Sequence, residues 1–389
     1  MSGYAKGRGR DRIAELAGRG MDLVSFWQEC TDALAPAVPH YLGPCWFTLD
    51  PASLLVTSHF QEGLAEIPHE WLAQQYYADD YNKMADVARS DRGVATLHEA
   101  TGGNPQLSAR YRDVMAPYGG EQEMIAGLRT PTGEIWGALG LYREKDTALF
   151  DASDLDFVRA IAPSLAEGAR RALLLGEATD PEDPHGPGLL VLTQHWEIES
   201  MTAGVEQWLA ELPDGDWEHG QLPSAVAAVA GQALRSTAGA ETPGEVAFAR
   251  VLTRAGRWIL LHGAALESGR SPRAAVIIEP AHPARLMPLL MAAYELTDRE
   301  RDVTRLVLQG RSTTEIAASL FISPHTVQQH LTKVFAKTGV RSRRDLVGKI
   351  FFAHYEPRVR DNEQRVVRGQ PLRGGPVSEA PPRTATGSP

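Results

Sequence analysis

The sequence predicts a multidomain α+β chain, in which two α+β units precede a short all-α unit of four helices. Three observations support this division. The 389 residues exceed one domain of roughly 150 residues. A stretch rich in Pro and Gly separates two regions of mixed strand and helix patterning, and four helix-capping signals follow near the end. We expect units at 20–176, 188–287 and 292–356, with a linker at 177–187 and a disordered tail at 357–389.

Composition favours a folded chain in a reducing compartment. Hydrophobic residues make up 43% and charged residues 23%, so collagen, coiled-coil rods and wholesale disorder are disfavoured. No apolar run approaches the roughly 18 to 20 residues that span a bilayer, and the basic start has no apolar stretch behind it. Cys30 and Cys45 are too few for a disulfide framework or a four-ligand zinc site. We expect a cytoplasmic protein without a membrane segment.

Charge is divided unevenly along the chain. The formal net charge of −10 splits into −17 over residues 1–295, +6 over residues 296–360 and +1 over residues 361–389. A basic module attached to an acidic remainder is typical of polyanion binding, because the acidic part would be repelled by the same polyanion.

The first unit opens with a helical pattern and continues with strands. Residues 123–129 and 134–143 flank the turn Pro131-Thr132-Gly133, which predicts a hairpin. From 151 to 175 apolar residues recur at helical spacing, which predicts a long amphipathic helix. We expect this helix to be able to pair with its copy in a second subunit.

The second unit reads as a smaller α+β domain. Two short strands and two helices come first, and strands dominate afterwards. The predicted strands are 189–192, 197–200, 246–253, 258–266 and 274–278, and the predicted helices begin at 205 and 224.

Four helix starts mark the basic module. A small polar residue that can accept a hydrogen bond from the first helical turn precedes each apolar run, at Thr297, Ser312, Ser323 and Ser342. Pro324 fits the first position of a helix, because its missing N–H has no partner there. The predicted helices are about 298–309, 313–320, 324–337 and 343–353, with Gly310 and Gly339 at two helix ends.

The third of these helices has two distinct faces. Val327, Leu331 and Val334 fall within an arc of about 60° and should face the core. The opposite face is polar and carries His325, Gln328, Gln329, Thr332 and Lys333. Amide and hydroxyl groups suit base edges in a major groove, and a tight connection to the preceding helix completes a helix-turn-helix. The candidate phosphate contacts are Thr326, Lys333, Lys337, Arg341, Arg343 and Arg344.

Residues 296–303, 310–317, 322–331 and 337–343 together resemble the LuxR/GerE-type DNA-binding domain. That family binds double-stranded DNA as a dimer through its third helix and regulates transcription. The resemblance implies that Gln328, Gln329 and Thr332 contact bases. Many members carry Lys where Gln328 stands, so base preference does not follow.

Upstream segments resemble two kinds of sensor domain. Residues 82–86, 93–97, 108–112 and 135–144 are similar to the GAF-like region of actinobacterial regulators with this C-terminal domain, and residues 256–262 resemble a PAS-like domain. The resemblance implies a one-component transcription regulator that senses an unknown small-molecule ligand or partner. We predict a homodimer with RNA polymerase as a further partner, and no cofactor.

Other interpretations concern isolated side chains. Trp71, Tyr76, Tyr81 and Asp86 resemble the set that holds acyl-homoserine lactone in other LuxR-type regulators, but their spacing drifts, and ordinary core packing and surface aromatics are the favoured explanation. His195, His262 and His282 lack the spaced partners that metal sites use. Asp79 and Asp80 fit a solvated acidic helix face better than a phosphate acceptor.

Two further function classes stay open. The chain could be an interaction protein whose DNA-binding module is secondary, or an enzyme acting on a small molecule in the first unit. No phosphate-binding loop, nucleophile elbow or zinc-protease motif supports an enzyme.

Overall fold

The computed structural model describes residues 2–61, 69–174, 187–237, 247–266, 271–281 and 294–347, together with residues 286, 289 and 291. These residues form two five-stranded antiparallel sheets with helices, followed by a helical C-terminal region. The predicted tail, nearly all of the predicted linker, His282 and residues 348–353 of the predicted fourth helix lie outside the described residues.

The first unit surrounds a sheet whose strand order is β2-β1-β5-β4-β3, with antiparallel neighbours throughout. The strands are β1 (Tyr41–Leu49), β2 (Val56–Phe60), β3 (Val94–Thr96), β4 (Gly120–Arg129) and β5 (Ile135–Glu144). The helices are α1 (Ser2–Gly18), α2 (Leu23–Leu34), α3 (His69–Tyr77), α4 (Met84–Arg89), α5 (Leu97–Ala100) and α6 (Ala152–Leu174), with short turns of 3-10 or π helix at Pro105–Leu107, Tyr111–Met115 and Ala116–Tyr118. The turn at 131–133 joins β4 to β5 as the hairpin prediction requires.

Helices α1, α2 and α6 cover one face of this sheet. Leu155, Val158 and Leu165 of α6 are buried in the same cluster as Ile13 of α1. The apolar face that we expected to pair with a second subunit is therefore used inside the chain. Helix α1 lies before the boundary placed at residue 20, yet it packs on α6 and its Lys6 Nζ lies 2.8 Å from Asp154 Oδ1.

The sheet of the second unit has the strand order β7-β6-β10-β9-β8. When its five strands are numbered from one, this is the same 2-1-5-4-3 order as in the first unit. All neighbouring strands are antiparallel. The strands are β6 (Gly188–Leu192), β7 (Ile198–Met201), β8 (Phe248–Leu252), β9 (Trp258–Leu266) and β10 (Arg273–Pro280). The helices are α7 (Val205–Glu211) and α8 (Ser224–Thr237), with a 3-10 turn at Trp217–His219.

The two units share one hydrophobic core. Helix α8 packs against α3 so closely that a Cβ atom on Gly231 would lie 2.4 Å from the carbonyl oxygen of Ala73. The buried Arg250 guanidinium of the second unit also holds both carboxylate oxygens of Asp50 in the first unit, at 2.7 and 2.8 Å. We call this joined pair of units, the described residues from 2 to 281, the body.

The C-terminal region, which we call the head, comprises residues 294–347. Its helices are α9 (Asp298–Leu308), α10 (Thr313–Leu320) and α11 (Pro324–Thr338), and residues 343–347 are also helical. Of the described residues, ten buried apolar side chains form its core: Met291, just ahead of the head, and nine within it, among them Val303, Ile316, Leu331 and Leu346. In the described part of the chain no helix combines the length and the apolar character that crossing a bilayer requires.

Candidate nucleic-acid interface

Local hydrogen bonds fix where each helix of the head begins. Thr297 Oγ1 accepts from the backbone N–H of Glu300, and the Glu300 carboxylate accepts from the N–H of Thr297. Ser312 and Glu315 form the same reciprocal pair. Ser323 Oγ accepts from Thr326 N at 3.0 Å, and Ser342 Oγ accepts from Asp345 N at 3.0 Å. Each bond satisfies an N–H that the helix leaves without a partner.

The buried side of α11 sets the direction of its polar side. Val327, Leu331 and Val334 are at most 1% exposed and pack among residues of α9 and α10. Because these three residues recur at helical spacing, the side chains between them project away from the core. Gln328, Gln329, Thr332 and Lys333 are all exposed.

The turn between α10 and α11 contains a residue that sequence reasoning missed. Phe321 ends α10 in the left-handed conformation, with φ of 55°, and its side chain is 95% exposed. The N–H of Ile322 donates to Ala317 O at 3.0 Å, which closes the helix end. Glycine is the usual residue at such a position, and Gly310 and Gly339 do occupy the other two positive-φ helix ends of the head. Phe321 offers no such signal.

The exposed polar side chains on α11 are linked to one another and to α10. Gln328 Nε2 donates to Thr313 Oγ1 at 3.3 Å, and Gln329 Nε2 lies 3.2 Å from His325 Nε2. Thr332 Oγ1 donates to the carbonyl of Gln328 at 3.0 Å and so keeps lone pairs available. Both amide side chains retain donors and acceptors for an external partner.

The candidate phosphate contacts divide into two groups. Lys333, Arg341 and Arg344 are exposed. The other three are engaged within the head: Thr326 with Ser323, Lys337 with Glu300, and Arg343 with the carbonyl of Arg311 at 3.1 Å.

Lys337 takes part in the tightest of these contacts. Its Nζ lies 2.6 Å from Glu300 Oε2 and 2.7 Å from the carbonyl oxygen of Glu295. Burial alone would raise the pKa of Glu300, but Lys337 and the N–H of Thr297 together lower it. Glu300 therefore stays ionised and ties the end of α11 to the start of α9.

The four residues that resemble a lactone site do not share a pocket. Trp71 and Tyr76 are buried in the core common to both units, where Tyr76 OH accepts from Val56 N and donates to Leu54 O. Tyr81 is 41% exposed, and Asp86 is exposed 3.8 Å from Arg89. Core packing and surface exposure account for this set.

The acidic and histidine candidates form no catalytic or metal-binding cluster. Asp79 and Asp80 lie in the loop after α3 rather than on the helix face that we predicted; Asp80 accepts from Arg110 N at 2.9 Å, and Asp79 pairs with Arg235. His195 is exposed in a turn and His262 faces Glu279 at 3.4 Å. Nowhere in the described ranges do three His, Cys, Asp or Glu side chains meet in an arrangement that could hold a metal ion.

A second feature that sequence reasoning missed is the buried ion pair between Arg110 and Glu123 in the first unit. Arg110 and Glu123 are 3% and 0% exposed and form a two-pronged contact. Asn82 Nδ2 donates to the same carboxylate at 2.9 Å, and the guanidinium lies over the ring of Trp71. Alternating strand patterns gave no reason to place a charge on this buried face.

Comparison with known proteins assigns the head to a family. The family described as bacterial regulatory proteins, luxR family, matches residues 294–349. A putative HTH-type transcriptional regulator of Mycobacterium bovis is 60% identical over 52 residues, which are 13% of this chain and 6% of that protein. The spore germination protein GerE of Bacillus subtilis is 46% identical over 52 residues, which are 13% of this chain and 70% of GerE.

Similarities to solved structures are distant. The VqsR LBD domain from Pseudomonas aeruginosa is 17% identical with a TM-score of 0.30, over 43% of this chain and 96% of that one. The E. coli DhaR(N)-DhaL complex gives 11% identity and a TM-score of 0.21, over 72% and 90% of the two chains. Neither assigns a fold to the N-terminal units. The capped helices of the head and the match to GerE establish that this chain belongs to the luxR family of bacterial regulatory proteins.

Proposed function

We propose that this protein is a transcription regulator that binds double-stranded DNA with the exposed face of α11. One observation carries the proposal: Gln328, Gln329 and Thr332 project together from a helix whose opposite face is buried. An amide side chain can donate one hydrogen bond to a base edge and accept another from it. The major groove is wide enough to admit an α-helix. These three residues are the proposed base contacts.

The basic side chains around α11 supply the proposed phosphate contacts. Lys333, Arg341 and Arg344 are exposed, so they can reach a DNA backbone, and within the described residues they have no ion pair that DNA binding would break. Thr326, Lys337 and Arg343 would first have to exchange partners, so we expect them to contribute less. The +6 charge of residues 296–360 supports this role.

The proposed active form is a homodimer. Two α11 helices would then lie about 34 Å apart and read the two halves of an inverted repeat. The names of the M. bovis relative and of the matched family support a role in transcription, with RNA polymerase as the further partner that this role requires.

The body would supply the signal. We assign its two units as GAF-like and PAS-like sensors, and their common strand order and shared core support a sensing module that acts as one. A small-molecule ligand or a protein partner would act by favouring one arrangement of the heads.

The test is binding to genomic DNA fragments that the full chain selects from a mixed pool. Lys333→Ala should weaken binding to all sequences and reduce the slope of affinity against salt concentration by about one counterion. Gln329→Ala should relax preference at one base position, by roughly 1 to 3 kcal/mol. Lys145→Ala, an exposed charge change on the body, is the matched control. Failure of the wild-type chain to select any DNA would reject the proposal.

A further inference from the structure

The body and the head meet at a small surface of mixed character. Trp136 of the first unit and Leu286 and Leu289 ahead of the head form a separate apolar cluster. Leu173 and Trp258 pack at its edge, so both units of the body contribute. We call the body side of this contact the docking patch, and its residues are Glu134, Trp136, Arg170, Leu173 and Trp258.

An ion pair on one side of the patch joins the β4–β5 hairpin to the first helix of the head. Arg301 Nη2 donates to Glu134 Oε1 at 2.6 Å, and the two side chains are 29% and 16% exposed. Thr130 and Thr132 donate their hydroxyls to the same carboxylate. Burial alone would raise the pKa of Glu134, but these hydroxyls and Arg301 together lower it, so Glu134 stays ionised.

A second ion pair connects the patch to Glu295, which in turn contacts α11. Arg170 Nη2 of α6 lies 3.1 Å from Glu295 Oε1, with Arg170 only 6% exposed. Glu295 has a φ of 53°, a conformation that costs free energy for a residue with a side chain. Its carbonyl oxygen accepts from Lys337 near the end of α11. Arg170 is therefore linked through Glu295 and Lys337 to α11, the helix proposed to read DNA.

The contact has features of a reversible interface rather than of a fused core. Partly exposed ion pairs contribute little because water and salt screen them. Among the described residues, the buried Trp136 Nε1 has no hydrogen-bond partner, which opposes docking. The join between the two units of the body is different, because there a fully buried ion pair and one continuous core hold the elements together.

Docking also leaves the reading face uncovered. The body contacts the head at Glu295 and Arg301, while Gln328, Gln329 and Thr332 remain exposed. Docking of the head therefore does not cover the proposed base contacts. The contact fixes the orientation of α11 relative to the body, and in a dimer this orientation sets the spacing of the two heads.

We propose that the docking patch is a releasable surface for the head of the same chain, and that signals reaching the body regulate DNA binding by changing this docking rather than by covering α11. The proposal rests on the proposed function for its consequence on DNA, but the docking itself is measurable without DNA. A docked and an undocked state are the two arrangements that a regulatory signal needs.

The experiment is a charge swap in the full chain. Glu134→Arg and Arg301→Glu each place like charges together, whereas the double variant restores an opposite pair. Arg301→Glu places a negative charge in the first turns of α9. A negative charge there favours a helix, so the head should stay folded. Arg299→Glu is the matched control, because Arg299 faces Asp302 of its own helix. Glu134→Gln is a milder second variant that can still accept the threonine hydroxyls.

The readout is hydrogen–deuterium exchange of the peptides covering 129–136 and 294–305. In the 294–305 peptide each single variant should exchange severalfold faster than the wild type, with the double variant and Arg299→Glu close to the wild type. In the 129–136 peptide the comparison is Arg301→Glu against the wild type and Arg299→Glu, because Glu134→Arg also removes the acceptor of the Thr130 and Thr132 hydroxyls. Single variants that exchange like Arg299→Glu, or a double variant no better than the singles, would overturn the proposal. If wild-type protein selects no DNA but the exchange pattern holds, only the proposed function fails. If it selects DNA and the exchange pattern is absent, only the docking proposal fails.

Discussion

At the scale of single residues, charge is placed in two ways in this chain. On the head, basic groups surround an exposed polar face, where solvent and a polyanion can reach them. In the first unit, Arg110 and Glu123 are withdrawn from water completely. A buried pair is costly to break because the remaining charge keeps its desolvation penalty without compensation.

Glu123→Gln should therefore destabilise the body strongly. The variant leaves the buried Arg110 guanidinium without its carboxylate, and we expect a loss of about 3 to 5 kcal/mol in the free energy of unfolding. Asp156→Asn is the control, because Asp156 and Arg159 form an exposed pair at 2.7 Å that contributes at most about 1 kcal/mol. Urea unfolding followed by circular dichroism measures both. Equal midpoints for the two variants would contradict the importance of the buried pair.

Glu300 makes the stability of the head depend on pH. Its pKa in the folded head lies below the ordinary value of 4.5, because Lys337 and Thr297 outweigh the effect of burial. The ionised form therefore stabilises the head fully above about pH 4.5, and this contribution is lost as pH falls through the lower pKa of the folded state. Thermal melts that follow unfolding of the head should show a melting temperature that falls as the pH is lowered from 7 to 3. The Glu300→Gln variant should show a smaller fall in melting temperature over the same range. A wild-type melting curve with the same pH dependence as the variant would exclude this role.

At the scale of elements, α3 and α8 bring their backbones into close contact at Gly231 and Ala73. Gly231→Ala should lower stability even though alanine favours a helix, because its Cβ would lie 2.4 Å from the carbonyl oxygen of Ala73. Gly7→Ala in α1 is the matched control, since no atom lies within 4 Å of its added Cβ, and it should raise stability by about 0.5 to 1 kcal/mol. Thermal melts compare the two. A stabilised Gly231→Ala variant would show that the two units do not pack as described.

Elements with a local signal were predictable, and those fixed by distant contacts were not. The four caps of the head fixed the helix starts, because each cap side chain accepts from the backbone N–H only three residues further along the sequence. Helix α1 was missed since Gly3, Gly7 and Gly9 disfavour an isolated helix; it forms against α2 and α6, and Gly9 permits the close approach to Ala33.

The candidate site was predictable for the same reason, and its connection to the body was not. The polar face of α11 follows from helical periodicity within 15 residues. The contact between Arg301 and Glu134 joins residues 167 positions apart, and no composition or periodicity rule relates them. Lys337 and Arg343 read as phosphate contacts from sequence, whereas the fold gives both a partner within the head.

At the scale of the whole molecule, the body and the head differ in charge and in cohesion. The acidic body has a core that crosses from the first unit to the second, with the Asp50–Arg250 pair buried between them, and a further cluster under α1, α2 and α6. The basic head has a core of its own and contacts the body over a small mixed surface. Such an arrangement allows the head to move as a unit while the two units of the body move together.

The two units of the body should therefore unfold together and the head separately. Hydrogen exchange at increasing urea concentration should show that β1 in the first unit and β9 in the second lose protection at the same midpoint, because loss of either exposes the shared core. Helix α11 should have a midpoint of its own. Asp50→Asn leaves Arg250 buried without a charged partner, and we expect it to lower the β1 and β9 midpoints by the same amount while α11 is unaffected. Separate midpoints for β1 and β9 in the wild-type chain would mean that the body consists of two independent domains, and a signal in one unit could then reach the head without the other.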